Sequence, residues 1–269
     1  MRQMIGFDCL GDRLVGTLDE ADGTTGLLIV SGGNEIRSGA YAGQAAMAQH
    51  FAAGGHPVFR YDRRGVGDSE GLNKGFESSA DDIAAAVAAF RNTAPRLNRL
   101  VAFGNCDAAT ALTLFHSSLA IDRLVLANPW VIENGAGGDV SVPHSAAAIR
   151  ARYWARLKNP GSLLDLLTGK IDLKKLAGGL VKATQNEAPS ELAQRLSDSL
   201  EASAITAKIL IAERDTTALA FMGAWKGNIF GRVSVKVDLN TFDTASHSFA
   251  DAAAKEWLYR QVGQALSAV

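Results

Sequence analysis

The run LVAFGNCDAATALTLF, residues 100–115, changes character in its middle. Leu100, Val101, Ala102 and Phe103 form a short continuous apolar run, which fits a strand buried on both faces. Gly104, Asn105 and Cys106 interrupt it, and small residues with spaced leucines then open a helical pattern. A strand that turns straight into a helix between glycine and alanine makes a tight elbow, with Cys106 at its tip. Free cysteine is usually a small buried filler, so its role depends on what the rest of the chain brings beside it.

The same alternation extends outward. Short apolar runs at GLLIVSGG (26–33), HPVFRYD (56–62), RLVAFGN (99–105), IDRLVLANPW (121–130), AKILIAERD (207–215) and VSVKVDLNTF (233–242) are separated by longer helical patterns. A helix ends near Ala53. A second covers SADDIAAAVAAFRNT, with Ser79 as its N-cap and Asp81 and Asp82 in its first turn. An amphipathic helix over about 249–267 closes the chain. This pattern predicts a mostly parallel α/β sheet with helices on both faces. At the N-terminus, MIGFDCL and RLVGTLDEA flank Gly11-Asp12 and predict a hairpin. The alternation breaks after Trp130, so 131–203 reads as a helical cap inserted into a core domain of 1–130 and 204–269.

Composition narrows the function classes. The 269 residues suffice for one large domain. The chain is 47% hydrophobic, and its formal net charge of −1 gives no electrostatic reason to expect nucleic acid or an anionic membrane surface. No apolar run is long enough for a membrane span, and MRQMIGFDCLGDRL lacks the apolar core of a secretory signal. Cys9 and Cys106 are far apart, without metal-ligand spacing, which predicts reduced thiols in a cytoplasmic protein, with no metal or cofactor.

In such a sheet, ligands bind beyond the carboxyl ends of the strands. Cys106 follows one strand, Asp215 another, and His247 the last. That is the chain order nucleophile, acid, histidine of the α/β-hydrolase triad. Gly104 and Ala108 fit a strained elbow, in a G-x-C-x-A version of the serine pattern G-x-S-x-G. His247 would take the thiol proton while Asp215 holds the imidazole tautomer. Asp238 and Asp243 compete with Asp215. His50, His56, His116 and His144 are less suitably placed than His247. The backbone N–H of Asp107 is one oxyanion donor. The other lies in SGGNEIRSG, at Gly33 or Asn34, with Asn34 favoured. Asp107 opposes the thiolate if its carboxylate points inward, and is expected instead to cap the helix outward. Gly33 and Trp130 are expected to line the substrate pocket. Asp62, Arg64 and Asp68 are expected to form a buried turn network. Arg150, Arg152 and Arg156 belong to a solvated basic face or to the pocket.

RYDRRGVGDSEG (60–71) looks like the α/β-hydrolase D-x-R-G-x-G-x-S turn. Together with GNCDAATAL, LANPW and SGGNEIRSGAYAGQ, it resembles the exosortase A system-associated hydrolase 1 family, a cysteine-elbow branch of that superfamily. The resemblance covers roughly residues 26–215 and implies the α/β-hydrolase fold and hydrolase chemistry without fixing a substrate. The expected function is that of an esterase or thioesterase working through an acyl-cysteine on a small-molecule acyl ester or thioester. Acyl transfer by the same intermediate, or a non-catalytic binding protein, are the alternatives.

Overall fold

The computed structural model describes residues 1–132 and 190–268. Eight strands make one sheet: β1 (Arg2–Cys9), β2 (Asp12–Asp19), β3 (Thr25–Val30), β4 (Val58–Tyr61), β5 (Arg99–Asn105), β6 (Arg123–Ala127), β7 (Thr206–Ala212) and β8 (Asp238–Phe242). Their order is β1-β2-β4-β3-β5-β6-β7-β8. β1 and β2 are antiparallel to each other, β2 is antiparallel to β4, and every pairing from β4 to β8 is parallel.

The central strands are apolar on both faces because both are covered. Leu28, Val30, Ala102, Leu124, Leu126, Ile209 and Ile211 face one core cluster. Their alternates Leu27, Ile29, Val101, Phe103, Val125 and Leu210 face the other, as a two-residue side-chain period requires. The first cluster is roofed by α2 (Ala80–Thr93), α3 (Asp107–Phe115) and α4 (Glu191–Ala202), the second by α1 (Gly43–Ala53) and α6 (Ala252–Ser267). A further helix, α5 (Thr216–Trp225), follows β7.

Helix α4 falls in the stretch expected to be cap, yet it belongs to the core layer. Its Leu192, Leu196 and Leu200 are buried in the first cluster, each contributing about 1.5–3 kcal/mol by that burial. Ser199 Oγ donates to Thr113 O of α3 at 2.6 Å. Val131 and Ile132 are buried in the same cluster. The rest of the stretch expected to be cap, residues 133–189, lies outside the described residues, as do His144, Arg150, Arg152 and Arg156.

Four local expectations need correction. The hairpin turn is Leu10-Gly11, because Cys9 pairs with Asp12; both turn residues have positive φ, 52° and 91°, as a two-residue turn of this hand demands. Ser79 stands at the N-cap of α2 but makes no side-chain cap bond; its hydroxyl donates to Phe76 O instead. The alternating VSVKV that reads as strand is turn, with Lys236 and Val237 N–H groups returning to Val233 O, so β8 begins only at Asp238. In the RYDRRGVGDS turn, Asp62 is fully buried and accepts from Arg37 Nη1, Arg37 N and Asp68 N. Arg64 instead pairs with Asp82 of α2, whose carboxylate also receives the Cys9 thiol at 3.5 Å.

Candidate active site

The elbow tip carries backbone strain. Cys106 has φ 61° and ψ −128° directly before α3, a conformation that costs a non-glycine residue about 1–3 kcal/mol. It is held in place by its own backbone: Cys106 N donates to Ala127 O at 2.9 Å, and Cys106 O accepts from Ala109 N at 3.1 Å and Trp130 N at 3.3 Å. Glycine is needed at 104 because a Cβ there would sit 2.8 Å from the Ala108 carbonyl carbon. Cys106 is partly exposed and Cys9 buried, and both are free thiols. Burial, with the charge of Asp82 next, pushes the Cys9 thiol up to about 11, which leaves it inert.

His247 lies beside this tip. Its Nδ1 is 3.0 Å from Asp215 Oδ2, and Cys106 is the next group whose influence reaches the ring. Burial lowers the affinity of the ring for a proton. Asp215, bonded to Nδ1, and then Cys106 outweigh it and push the pKa up to about 10. Asp215 stands just past β7 as the N-cap of α5, accepting from Ala218 N at 3.0 Å, where the helix terminus favours a carboxylate. Asp243 is exposed and paired with Arg214, and Asp238 pairs with Lys208, so neither is the partner of His247. His116 is buried between Thr113 O and Ser203 Oγ. His56 bonds Thr25 O, and His50 packs edge-on against Phe51 and at a tilt against Tyr259.

The proton on His247 links the site to stability. A pKa raised from 6.5 in the unfolded chain to about 10 in the folded one stabilises the fold fully below pH 6.5, and the gain is lost as pH rises through about 10. The titratable groups facing the ring are Asp215, Cys106 and Glu35. The difference in melting temperature between the unsubstituted protein and His247→Gln is therefore expected to shrink between pH 6.5 and 10. A gap that stays constant over that range would contradict the shift.

Asp107 does not cap its helix. Its Oδ1 accepts from Gly33 N at 2.6 Å, and its Oδ2 lies 3.9 Å from Arg63 Nη2. Arg63, only 5% exposed, also donates to Gly33 O. The carboxylate thus turns toward an amide and a guanidinium on neighbouring loops, where the local potential is positive. Gly32 lets these loops approach: a Cβ there would meet Asn105 O at 2.5 Å and Asp107 Oδ1 at 2.7 Å. The Gly33 N–H is therefore already engaged. Asn34 is exposed, and its side chain accepts from Asn73.

Trp130 is partly buried against the first core cluster, its carbonyl accepting from Thr110 Oγ1 at 2.7 Å. A cleft of about 710 Å³, open mouth included, flanks the elbow on the α1 and α6 side, lined among others by Glu35, Met47, Phe103, Asn105, Ser248 and Phe249. Neither Gly33 nor Trp130 lines it. Glu35 went unnoticed in the sequence. Its pKa is raised, chiefly by burial and also by the charge of Asp107, while the Ala40 N–H and His247 pull it back. The only sequence signal for it is an acidic residue in the glycine loop after β3.

Among the described residues, no helix is long and apolar enough to cross a membrane, and no group of three or more His, Cys, Asp or Glu is placed to hold a metal ion.

A sheet of this order, with a strained elbow after β5 and an Asp–His pair beyond β7 and β8, defines an α/β-hydrolase. The family model described as serine aminopeptidase, S33, matches residues 24–223, and the chain belongs to that family of hydrolases. At the elbow, where that name leads one to expect serine, this chain has Cys106. No curated protein sequence matches it. Similar solved structures include the esterase Pf2001 of Pyrococcus furiosus, 15% identical over 98% of this chain and 90% of that one, TM-score 0.65. A thermophilic esterase from Thermogutta terrifontis is 16% identical over 98% of both chains, TM-score 0.58. The thioesterase domain from the curacin biosynthetic pathway is 13% identical over 98% and 99%, TM-score 0.59. At these identities the likeness is one of fold.

Proposed function

We propose that this hydrolase cleaves small acyl esters or thioesters through an acyl-cysteine on Cys106, with His247 as proton carrier and Asp215 as its orienting acid. The observation that carries the reading is the 3.0 Å bond of His247 Nδ1 to Asp215 Oδ2, set beyond the strand ends that flank a strained elbow with Cys106 at its tip. With the thiol proton already resting on His247, the Cys106 sulfur bonds to the substrate carbonyl carbon. The resulting oxyanion collapses and expels an alcohol or thiol, which takes the proton from His247. Water, deprotonated by His247, then attacks the acyl-cysteine and releases the acid and the thiol. The backbone N–H groups of Asp107 and Asn34 are the proposed oxyanion donors. Asn34 is preferred to Gly33 because the Gly33 N–H is bonded to Asp107. Trp130 and the loop around Gly33 would border the acyl group.

A thiolate leaves easily, so an amine would need stronger acid assistance to be expelled than an alcohol or thiol. This favours esters and thioesters over peptides, in keeping with the names of the esterase and thioesterase neighbours. Within the family we assign the chain to the exosortase-associated cysteine branch, acting in the cytoplasm with both thiols reduced. A panel of acyl thioesters, p-nitrophenyl esters and amino-acid p-nitroanilides tests the reading. Turnover of the first two well above the third is expected. Preferential cleavage of the anilides, or no turnover of any, would overturn it.

A further inference from the structure

Asn128, in the Asn-Pro-Trp after β6, has no part in the chemistry just described, yet it sits where the strand ends that carry Cys106, Asp215 and His247 meet. Asn128 is fully buried and has φ 42°, a left-handed conformation that asparagine tolerates better than most residues. Its side-chain oxygen accepts from Ala212 N at 2.9 Å. Its side-chain nitrogen donates to His247 O at 3.0 Å and to Asn105 Oδ1 at 3.2 Å. Asn105 Nδ2 in turn donates to the same His247 carbonyl at 3.2 Å. The amide therefore uses both its N–H groups and its oxygen, and a flip would set its NH2 against the Ala212 N–H.

Each partner is next to a proposed catalytic group. Asn105 precedes Cys106, and Cys106 N is bonded to Ala127 O, one residue before Asn128. Ala212 ends β7 and accepts through its carbonyl from Asp215 N at 3.0 Å. His247 is held by its own main chain. We propose that Asn128, with Asn105, is a positioning residue that fixes the main chain of His247 relative to Cys106 and Asp215, so that the imidazole meets both at once. β8 is the outermost strand and ends five residues before His247; the loop is tied on either side of the histidine, by Arg214 N to Thr244 O and by buried Phe249, while the two asparagines bind the main chain of His247 itself.

The inference rests on the reading of Cys106, His247 and Asp215 given above, and its test separates the two. Asn128→Gly keeps the backbone conformation and removes the clamp; Asn105→Ala removes the second donor and serves if the first variant does not fold. In each, His247 is titrated by NMR and the alkylation of Cys106 by iodoacetamide is timed at neutral pH. The expected result is a His247 titration moved down toward 6.5 and alkylation slowed about 10- to 100-fold, with kcat falling similarly while KM stays within about twofold, as for a misplacement near 1 Å. A folded variant that melts earlier but keeps the titration, the alkylation rate and kcat would overturn the clamp. In the unsubstituted protein, alkylation of Cys106 no faster than that of an ordinary thiol would overturn the reading of the triad and the clamp with it, and is seen before any variant is made.

Discussion

Cys106→Ala is expected to lower kcat/KM by a factor on the order of 10⁴ or more, the scale for deleting the nucleophile of a triad that works as a unit. The loss should come without unfolding. The bonds that hold the elbow run through the main chain of Cys106, and alanine meets the same strained φ that cysteine already bears. Cys106→Ser is the sharper companion, since it restores the residue type named by the family. Asp215 and then Cys106 push the His247 pKa up to about 10. An imidazolium of that kind suits a thiol, which ionises near pH 8.5 in water, far better than an aliphatic hydroxyl. The serine variant should therefore remain at least about 10²-fold below the cysteine enzyme. Full activity with serine would mean that the site is tuned for a hydroxyl and that the thiol is incidental.

Asp215→Asn should cost on the order of 10³–10⁴ in kcat/KM, because a neutral amide neither fixes the productive tautomer nor stabilises the imidazolium. Two roles meet on one oxygen, since Asp215 Oδ2 also accepts from Ala218 N. Asparagine is as good an N-cap as aspartate, so α5 should keep its start while the charge is lost. The His247 titration should fall from about 10 toward 6.5, removing most of the pH-dependent stabilisation described above. Asp243→Asn is the matched control: that carboxylate is exposed and paired with Arg214, and its loss should change kcat/KM by less than about threefold.

The sequence made the sheet legible where physical demands were local. β5 runs over residues 99–105 as expected, because a strand buried on both faces must be continuously apolar. Cys106, Asp215 and His247 could be paired because chain order in a parallel sheet dictates which strand ends share a rim. VSVKV misled because alternation suits a strand, whereas Val233 is buried by a turn whose amides bond backward. The side chain of Asp107 was misjudged because its partners, Gly33 and Arg63, come from loops distant in the chain. The Asn105–Asn128 pair was beyond reach for the same reason: amides that bridge three strand ends leave no periodicity, spacing or composition signal. Glu35 looks like any polar loop residue until the loop folds it in beside His247.

The central claim is that a covalent acyl group passes through Cys106. The most direct measurement is intact mass and peptide mapping after a brief incubation with an acyl thioester, quenched in acid. The expected result is a mass increase equal to the acyl group, mapped to Cys106, absent from Cys106→Ala and never found on the buried Cys9. Continued thioester turnover by Cys106→Ala, or an adduct carried by another residue, would contradict it.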